Sequence, residues 1–187
     1  MHTLHGWGKI VLMLTACIIL AGCQNHFKAE DIHNIAKLAV GQEPEQGIQT
    51  IMAALEQKYP GKIRQELKWH FNWTGGTLGQ MAIVYASLNE YVLIFGSPIG
   101  SEGFSGRYSS MDVYDCMFTG EMTTYMEGQL ERTVYLPGDM AVLERHKAKG
   151  YTMTPGTYML EYTTGNTLFS LPTGLFAPFN VTNDLKT

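Results

Sequence analysis

The feature that most limits the fold of this chain is a series of short segments, rich in β-branched and aromatic residues, that begins near residue 66. No helical pattern interrupts the series, and many short strands at this spacing predict an antiparallel sandwich or barrel. The predicted strands are 67–73, 80–88, 91–97, 113–121, 133–136, 140–145 and 157–163. Turn-forming residues separate them, including Gly75-Gly76, the glycine-rich segment 100–106, Pro137-Gly138, Lys149-Gly150 and Pro155-Gly156.

Two helices are predicted before these strands. Residues 25–40 carry apolar side chains at a mixed spacing of three and four, with Glu30 and Asp31 in the first turn. Residues 44–59 carry a second apolar stripe that stops at Pro60-Gly61. The expected fold is mainly β with N-terminal helices, an α+β chain with a helical segment over 23–65 and a β domain over 66–187.

Two acidic residues, Asp115 and Glu161, lie in the middle of predicted strands, where an unpaired charge is costly. Asp115 shares a strand face with Val113 and Met117, and Glu161 shares one with Met159, because side chains alternate along a strand. A carboxylate in such surroundings has a raised pKa or finds a partner, and two that face one cavity can share a proton. The pattern therefore indicates a proton-transfer site or a socket for a cation.

The N-terminal residues predict export and a lipid anchor. A basic start precedes the apolar run 10–20, which is short for a transmembrane helix. Leu20-Ala21-Gly22-Cys23 follows and resembles a bacterial lipobox, in which the cysteine is acylated and the chain is cut before it. We expect a lipoprotein signal peptide over 1–22, a lipid-anchored Cys23, and a place in the bacterial cell envelope facing the periplasm or exterior. An ordinary signal peptide cleaved nearby and an uncleaved anchor are the alternatives.

Charge and composition narrow the possible partners. Removing residues 1–22 removes Lys9 and no acid, which leaves 12 basic residues against 17 acidic ones, a formal charge of −5. Nucleic acid is not an expected partner of a mildly acidic chain. Cys116 is then the one free thiol and is expected to be a buried hydrophobe. The remaining histidines form no closely spaced pair, so we expect no metal and no other cofactor.

The glycine-rich segment 96–108 has neither the ending of a phosphate loop nor the spacing of a nucleophile elbow. We interpret its glycines as those of a wide turn that needs positive φ angles.

The blocks around this segment carry a resemblance to a known family. They are Ala86-Ser-Leu-Asn-Glu-Tyr-Val-Leu-Ile-Phe-Gly96, Gly100-Ser-Glu-Gly-Phe-Ser-Gly-Arg-Tyr108, Thr119-Gly120, Glu127-Gly128, Tyr135-Leu-Pro-Gly-Asp139 and Tyr158-Met-Leu-Glu-Tyr162. In this order they are similar to the signature of the family shared by the fungal sterol C-8 isomerase and the animal sigma receptor. The resemblance spans roughly residues 69–176, and the two upstream helices also fit it.

The resemblance implies a cupin-like β-barrel (jelly roll) with an apolar pocket, in which one aspartate and one glutamate bind the cationic centre of the ligand. Counting back from Thr119-Gly120 assigns the aspartate to Asp115, and the glutamate matches Glu161. Counting forward from the glycine-rich segment leaves Asp112 as a rival, although Asp112 would lie on the opposite strand face. The expected substrate-binding residues are Met81, Tyr91, Leu93, Phe95, Val113, Met117, Met153 and Leu171. For the wall residues, plain barrel core is the alternative.

Three functions stay open. An isomerase would shift a ring double bond, of the delta-8 to delta-7 type, in a sterol or polycyclic lipid by using one acid and one carboxylate. A binding protein would hold sterols or hydrophobic amines without turnover, and a structural lipoprotein would pair its acids with Arg107 or Arg132. The expected partners are a sterol-like or cationic amphiphilic small molecule, a membrane through the lipid anchor, and further copies of the chain in a homo-oligomer.

Overall fold

The computed structural model describes residues 25–169. Two helices come first, α1 (Ala29–Lys37) and α2 (Pro44–Lys58). Acidic residues lie in the first turn of each helix and a lysine in the last, which is the arrangement that the helix dipole favours. Neither of these helices is long and apolar enough to cross a bilayer. The predicted signal peptide, Cys23 and Leu171 lie outside the described residues.

In the described part of the chain, ten strands follow the helices and pair antiparallel. They are β1 (Trp69–Thr74), β2 (Thr77–Ala86), β3 (Glu90–Ser97), β4 (Ser101–Phe104), β5 (Met111–Thr119), β6 (Met122–Met126), β7 (Thr133–Tyr135), β8 (Met140–Leu143), β9 (Lys149–Met153) and β10 (Thr157–Gly165). One sheet has six strands in the order β1-β2-β3-β10-β5-β8, and the other has four in the order β4-β9-β6-β7. A 3₁₀ turn, Thr167–Phe169, comes last.

The six-stranded sheet is covered on both faces, and the alternation of side chains decides which face each residue joins. On the central strands β3, β5 and β10, the even-numbered residues pack against the helices, where Ile94, Phe118 and Leu160 are buried with Ile32 and Ile51. The odd-numbered residues face the four-stranded sheet. Burying one large aliphatic side chain contributes about 1.5–3 kcal/mol, so the helical layer holds this sheet firmly from behind.

A buried carboxylate ties the segment before α1 to the sheet. Glu90 accepts hydrogen bonds from the backbone N–H groups of His26 (2.5 Å) and Phe27 (3.2 Å) and from the hydroxyl of Tyr162 (3.0 Å). Each of these donors would be costly to bury unpaired. Glu90 therefore fixes where the helical layer begins on the outer face of the sheet.

The observed architecture confirms the predicted fold class. Two helices precede an antiparallel, cupin-like jelly roll whose two sheets face each other. Side chains from both sheets share a buried cluster that includes Met117 of β5, Met122 of β6 and Met153 of β9. Among the described residues, the sheets do not close into one continuous hydrogen-bonded barrel.

Two strands correct the interpretation of the glycines as turn residues. Strand β4 lies within segment 100–106, and β9 begins at Lys149. A Cβ atom on Gly103 would lie 2.2 Å from Oγ1 of Thr77, and one on Gly150 would lie 2.5 Å from the ring of Tyr125. These two glycines therefore allow close packing inside strands. From the sequence alone, a glycine that packs closely in a strand cannot be distinguished from a glycine in a turn.

Candidate functional site

A cavity of about 510 Å³ lies between the two sheets. Its walls are mostly apolar and include Met81, Leu93, Phe95, Val113, Leu143 and Met159 from the six-stranded sheet. Phe104 and Tyr151 contribute from the four-stranded sheet, and Leu88 and Leu168 border the cavity where the strands end. Sites for small molecules commonly enclose about 300–1,000 Å³, so this cavity is large enough for a substantial apolar ligand.

Asp115 and Glu161 both face this cavity. They are direct cross-strand partners, at the same register position of β5 and β10. Opposed residues of an antiparallel pair have Cβ atoms about 4.5–5.5 Å apart, so the two side chains project side by side. Asp115 is buried, whereas Glu161 keeps part of its surface open to the cavity.

Lys149 lies beside this pair and was not predicted as a site residue. Its Nζ atom donates a hydrogen bond to Oδ2 of Asp115 at 2.5 Å, and the two side chains are only 5% and 7% exposed. The ammonium also lies 5.5 Å from the centre of the Tyr151 ring, within the range of a cation–π contact. The sequence suggested Arg107 or Arg132 as partners of the acids; instead, Lys149 pairs with Asp115, and Arg107 pairs with Glu127.

Glu161 is the acid whose ionisation the site perturbs most clearly. Burial and the neighbouring Asp115 charge raise its pKa from 4.5 to about 7. The Tyr91 hydroxyl, which donates to Oε1 at 2.8 Å, and the Lys149 charge lower the pKa but do not cancel the rise. Glu161 can therefore give or take a proton near neutral pH.

Three tyrosine hydroxyls surround the acids. Burial, followed by the charge of Glu161, raises the pKa of Tyr91 and raises the pKa of Tyr108 to about 12. Burial likewise raises the pKa of Tyr151, and the charges of the two acids add to the rise. All three side chains therefore remain protonated at neutral pH and can donate hydrogen bonds.

The rival aspartate, Asp112, is placed away from the cavity. Arg145 holds it through a side-chain contact at 2.6 Å and a backbone N–H bond at 2.7 Å. The hydrogen bond from the Arg145 side chain lowers the pKa of Asp112 despite partial burial. This aspartate is committed to a surface ion pair, and Asp115 is the one that the strand alternation turns inward.

The predicted pocket residues fall into three groups. Met81, Tyr91, Leu93, Phe95 and Val113 line the cavity. Met117 and Met153 do not line it but lie in the buried cluster beside it, because the two sheets pack closely there. Leu171 lies outside the described residues.

Several residues that line the cavity were not predicted from the sequence, and Lys149 is the most important of them. The available signal was the alternation of Lys149, Tyr151 and Met153, which gives the segment one inward face. This alternation did not predict a strand, because the pair Lys149-Gly150 was interpreted as a turn. A strand assignment there would have placed a lysine on the same face as a tyrosine and a methionine.

Cys116 lies behind the site, on the helix-facing side of β5, and is fully buried. Burial raises the pKa of its thiol, so it serves as a small core residue. Within residues 25–169, no three His, Cys, Asp or Glu side chains come together as a metal site would require. The expectation of no metal stays a prediction.

Two solved structures have a partly similar backbone. KdgF from Halomonas sp. has a TM-score of 0.43 and 17% identity, over 52% of this chain and 87% of KdgF. An RmlC-like cupin from Shewanella frigidimarina has a TM-score of 0.43 and 16% identity, over 56% of this chain and 94% of that cupin.

Proteins with related sequences share a higher sequence identity with this chain than these two structures do. Sigma non-opioid intracellular receptor 1 of Danio rerio is 35% identical over 148 residues, 78% of this chain and 66% of the receptor. The protein erg2 homolog of Dictyostelium discoideum is 36% identical over 154 residues, 82% of this chain and 66% of that homolog. C-8 sterol isomerase erg2 of Aspergillus fumigatus is 35% identical over 143 residues, 74% of this chain and 59% of the isomerase. The chain thus spans 59–66% of the length of these relatives.

The family described as "ERG2 and Sigma1 receptor like protein" matches this sequence over residues 8–187. That match covers nearly the whole chain, and it agrees with the relatives at 35–36% identity. The resemblance seen in the sequence blocks is confirmed, and the chain belongs to the ERG2 and Sigma1 receptor like family.

Proposed function

We propose that this chain binds a sterol-like polycyclic lipid between its two sheets and shifts a ring double bond, in a reaction of the delta-8 to delta-7 type. The observation that carries the proposal is the pairing of Asp115 with Glu161 at one register position inside an apolar cavity. The family also includes a relative named C-8 sterol isomerase. An apolar wall binds such a lipid, and the two carboxyl groups supply the acid and base.

The reaction consists of two proton transfers. A protonated carboxyl group donates its proton to one alkene carbon, and the π electrons form the new C–H bond and leave a carbocation at the other carbon. A carboxylate then removes a proton from the carbon next to the cation. The electrons of that C–H bond form the shifted double bond, so the lipid keeps its composition while one acid loses a proton and a carboxylate gains one.

The charges around the cavity suit this intermediate. A carboxylate beside a carbocation stabilises it far more in an apolar interior than in water. Because the pKa of Glu161 is about 7, both its acid and its base form are populated near neutral pH. The neighbouring tyrosine hydroxyls add donors without adding charge.

A second candidate function is binding of sterols or hydrophobic amines without turnover. The ion pair between Lys149 and Asp115 favours it, because the Asp115 oxygen that accepts a hydrogen bond from this buried ammonium is not free to accept a proton from a substrate. Glu161 is then the group that meets the ammonium of an amine ligand.

One experiment separates the two candidates. The purified protein is incubated with a delta-8 sterol in heavy water, and product and deuterium content are read by mass spectrometry. We expect double-bond migration with one solvent deuterium incorporated at the carbon that is protonated. Asp115→Asn and Glu161→Gln should each lower the rate by about 100-fold or more, since each removes a proton-transferring group.

Asp112→Asn is the matched control, because Asp112 lies three residues from Asp115 on the same strand but forms a surface ion pair. It should keep the full rate. Sterol that co-purifies or binds in native mass spectrometry, with no deuterium incorporated, would assign the second function. The isomerase proposal is overturned if no sterol or polycyclic lipid reacts, or if Asp112→Asn loses as much activity as Asp115→Asn.

A further inference from the structure

We propose that Lys149 is a positioning residue that divides the roles of the two acids: its ammonium holds Asp115 as the carboxylate of the pair, and Glu161 is left as the acid that carries the proton in the free protein. The inference uses the proposed function only in taking this cavity as the ligand site. It concerns the protonation of the free protein, so it can fail or succeed whether or not the chain turns over a substrate.

The two partners of the ion pair come from different sheets. Lys149 is the first residue of β9 in the four-stranded sheet, and Asp115 is in the middle of β5 in the six-stranded sheet. Both side chains are more than nine-tenths buried, and Nζ lies 2.5 Å from Oδ2. A buried ammonium or carboxylate is very costly without its partner, so each charge holds the other in place.

Glu161 is in a different position. Its close hydrogen bond comes from the neutral hydroxyl of Tyr91, at 2.8 Å. Within residues 25–169, no lysine, arginine or histidine forms an ion pair with it. The charged and titratable groups that face Glu161 from the surrounding elements are Asp115 on β5, Tyr91 on β3, Lys149 and Tyr151 on β9, and Tyr108 before β5. The tyrosines stay neutral, and Asp115 and Lys149 offset each other.

This arrangement sets the charge that a ligand meets. Because Asp115 and Lys149 sum to zero, the net charge of the cavity is the charge of Glu161 alone, zero when protonated and −1 when ionised. A neutral polycyclic lipid is favoured by the protonated form, because covering an ionised carboxylate with apolar surface is costly, whereas a cationic amine needs the ionised form. Lys149 therefore selects neutral lipids over amines whenever the pH is below the pKa of Glu161.

The first test uses the wild-type protein and needs no ligand. Protein labelled with ¹³C at the side-chain carboxyl carbons of Asp and Glu is titrated by NMR from about pH 4.5 to about pH 9, with signals assigned through Asp115→Asn and Glu161→Gln. We expect the Glu161 signal to titrate near pH 7. A Glu161 signal that is already in its ionised position at about pH 5 would overturn the proposal.

The second test removes the ammonium. Lys149→Met keeps an unbranched side chain, and we expect the acids to share one proton and the midpoint to rise by about one pH unit or more. At about pH 6 the variant should bind a hydrophobic amine about tenfold more tightly, because its cavity then carries a net charge of −1. Binding of a neutral sterol should change by less than about threefold.

Lys149→Arg retains the positive charge and is expected to keep the wild-type titration and the wild-type preference between amine and sterol. If Lys149→Met does not fold, Lys149→Arg and the wild-type titration still test the proposal. A purely structural lysine would give a Lys149→Met protein with an unchanged Glu161 midpoint and unchanged amine affinity, and that result would refute the assignment.

Discussion

Glu161 carries a proton in the folded protein over a pH range in which it is ionised in the unfolded chain. Burial and Asp115 raise its pKa to about 7 in the folded state, against an ordinary value of 4.5. Between these two values the folded state binds more protons than the unfolded state, so the free energy of unfolding falls as the pH rises. The free energy of unfolding is lower by the full amount, about 3 kcal/mol, at pH values above the pKa of Glu161 in the folded state. It is not lowered at pH values below the pKa of Glu161 in the unfolded chain.

Glu161→Gln removes this titration and should flatten the pH dependence. Measured by urea denaturation, the stability of the variant relative to wild type should increase by about 3 kcal/mol between about pH 4 and about pH 8. Asp112→Asn is the control, because the lowered pKa of Asp112 in the folded state and its ordinary value of 3.8 in the unfolded chain both lie below this range, so the variant should keep nearly the whole wild-type slope. An equal slope in wild type and Glu161→Gln would show that Glu161 is ionised in both states.

At the scale of strands and helices, local pattern predicted much of the fold. The period of two placed Asp115 and Glu161 on inward faces. Both helices were predicted, the second nearly to its ends, whereas the first was predicted over 25–40 and spans only Ala29–Lys37. The direct pairing of Asp115 with Glu161 depends on the register between β5 and β10, which is a non-local property. The contact of Lys149 with Asp115 also joins two sheets, so no pattern within one segment contains it.

Strand β4 depends on Gly103, which lies against the turn between β1 and β2. A Cβ atom there would approach the backbone nitrogen of Thr77 to 2.5 Å and the carbonyl oxygen of Gly75 to 2.8 Å. Backbone atoms cannot swing away as a side chain can, so Gly103→Ala must move β4. Because Phe104 of this strand lines the cavity, the displacement would also disturb the ligand site.

We expect Gly103→Ala to lower the free energy of unfolding by about 2–4 kcal/mol, from overpacking at a site that cannot relax. Glu102→Ala on the same strand is exposed and should change stability by less than about 0.5 kcal/mol. Urea denaturation of both variants measures the difference. Equal midpoints for Gly103→Ala and wild type would mean that β4 and the β1–β2 turn do not approach as closely as the structure indicates.

In the whole molecule, the helices and the sheets divide two tasks. The helical layer buries the outer face of the six-stranded sheet, while the inner face leaves a cavity whose apolar walls enclose one ion pair and one titrating acid. Beside the cavity, Leu88 and Leu168 are 62% and 49% exposed. Exposed apolar residues next to an apolar cavity suit entry of an apolar ligand.

The anchor itself is a prediction about Cys23. In a bacterial host, the mature chain should be found in the membrane fraction, with a mass that corresponds to cleavage before Cys23 and addition of acyl chains. Cys23→Ser removes the thiol that is acylated, so the mass of the variant should lack the acyl chains. Cys17→Ser, within the predicted signal, should retain the lipid-modified mass. An unmodified Cys23 in membrane-bound protein would instead assign the association to the uncleaved apolar run 10–20.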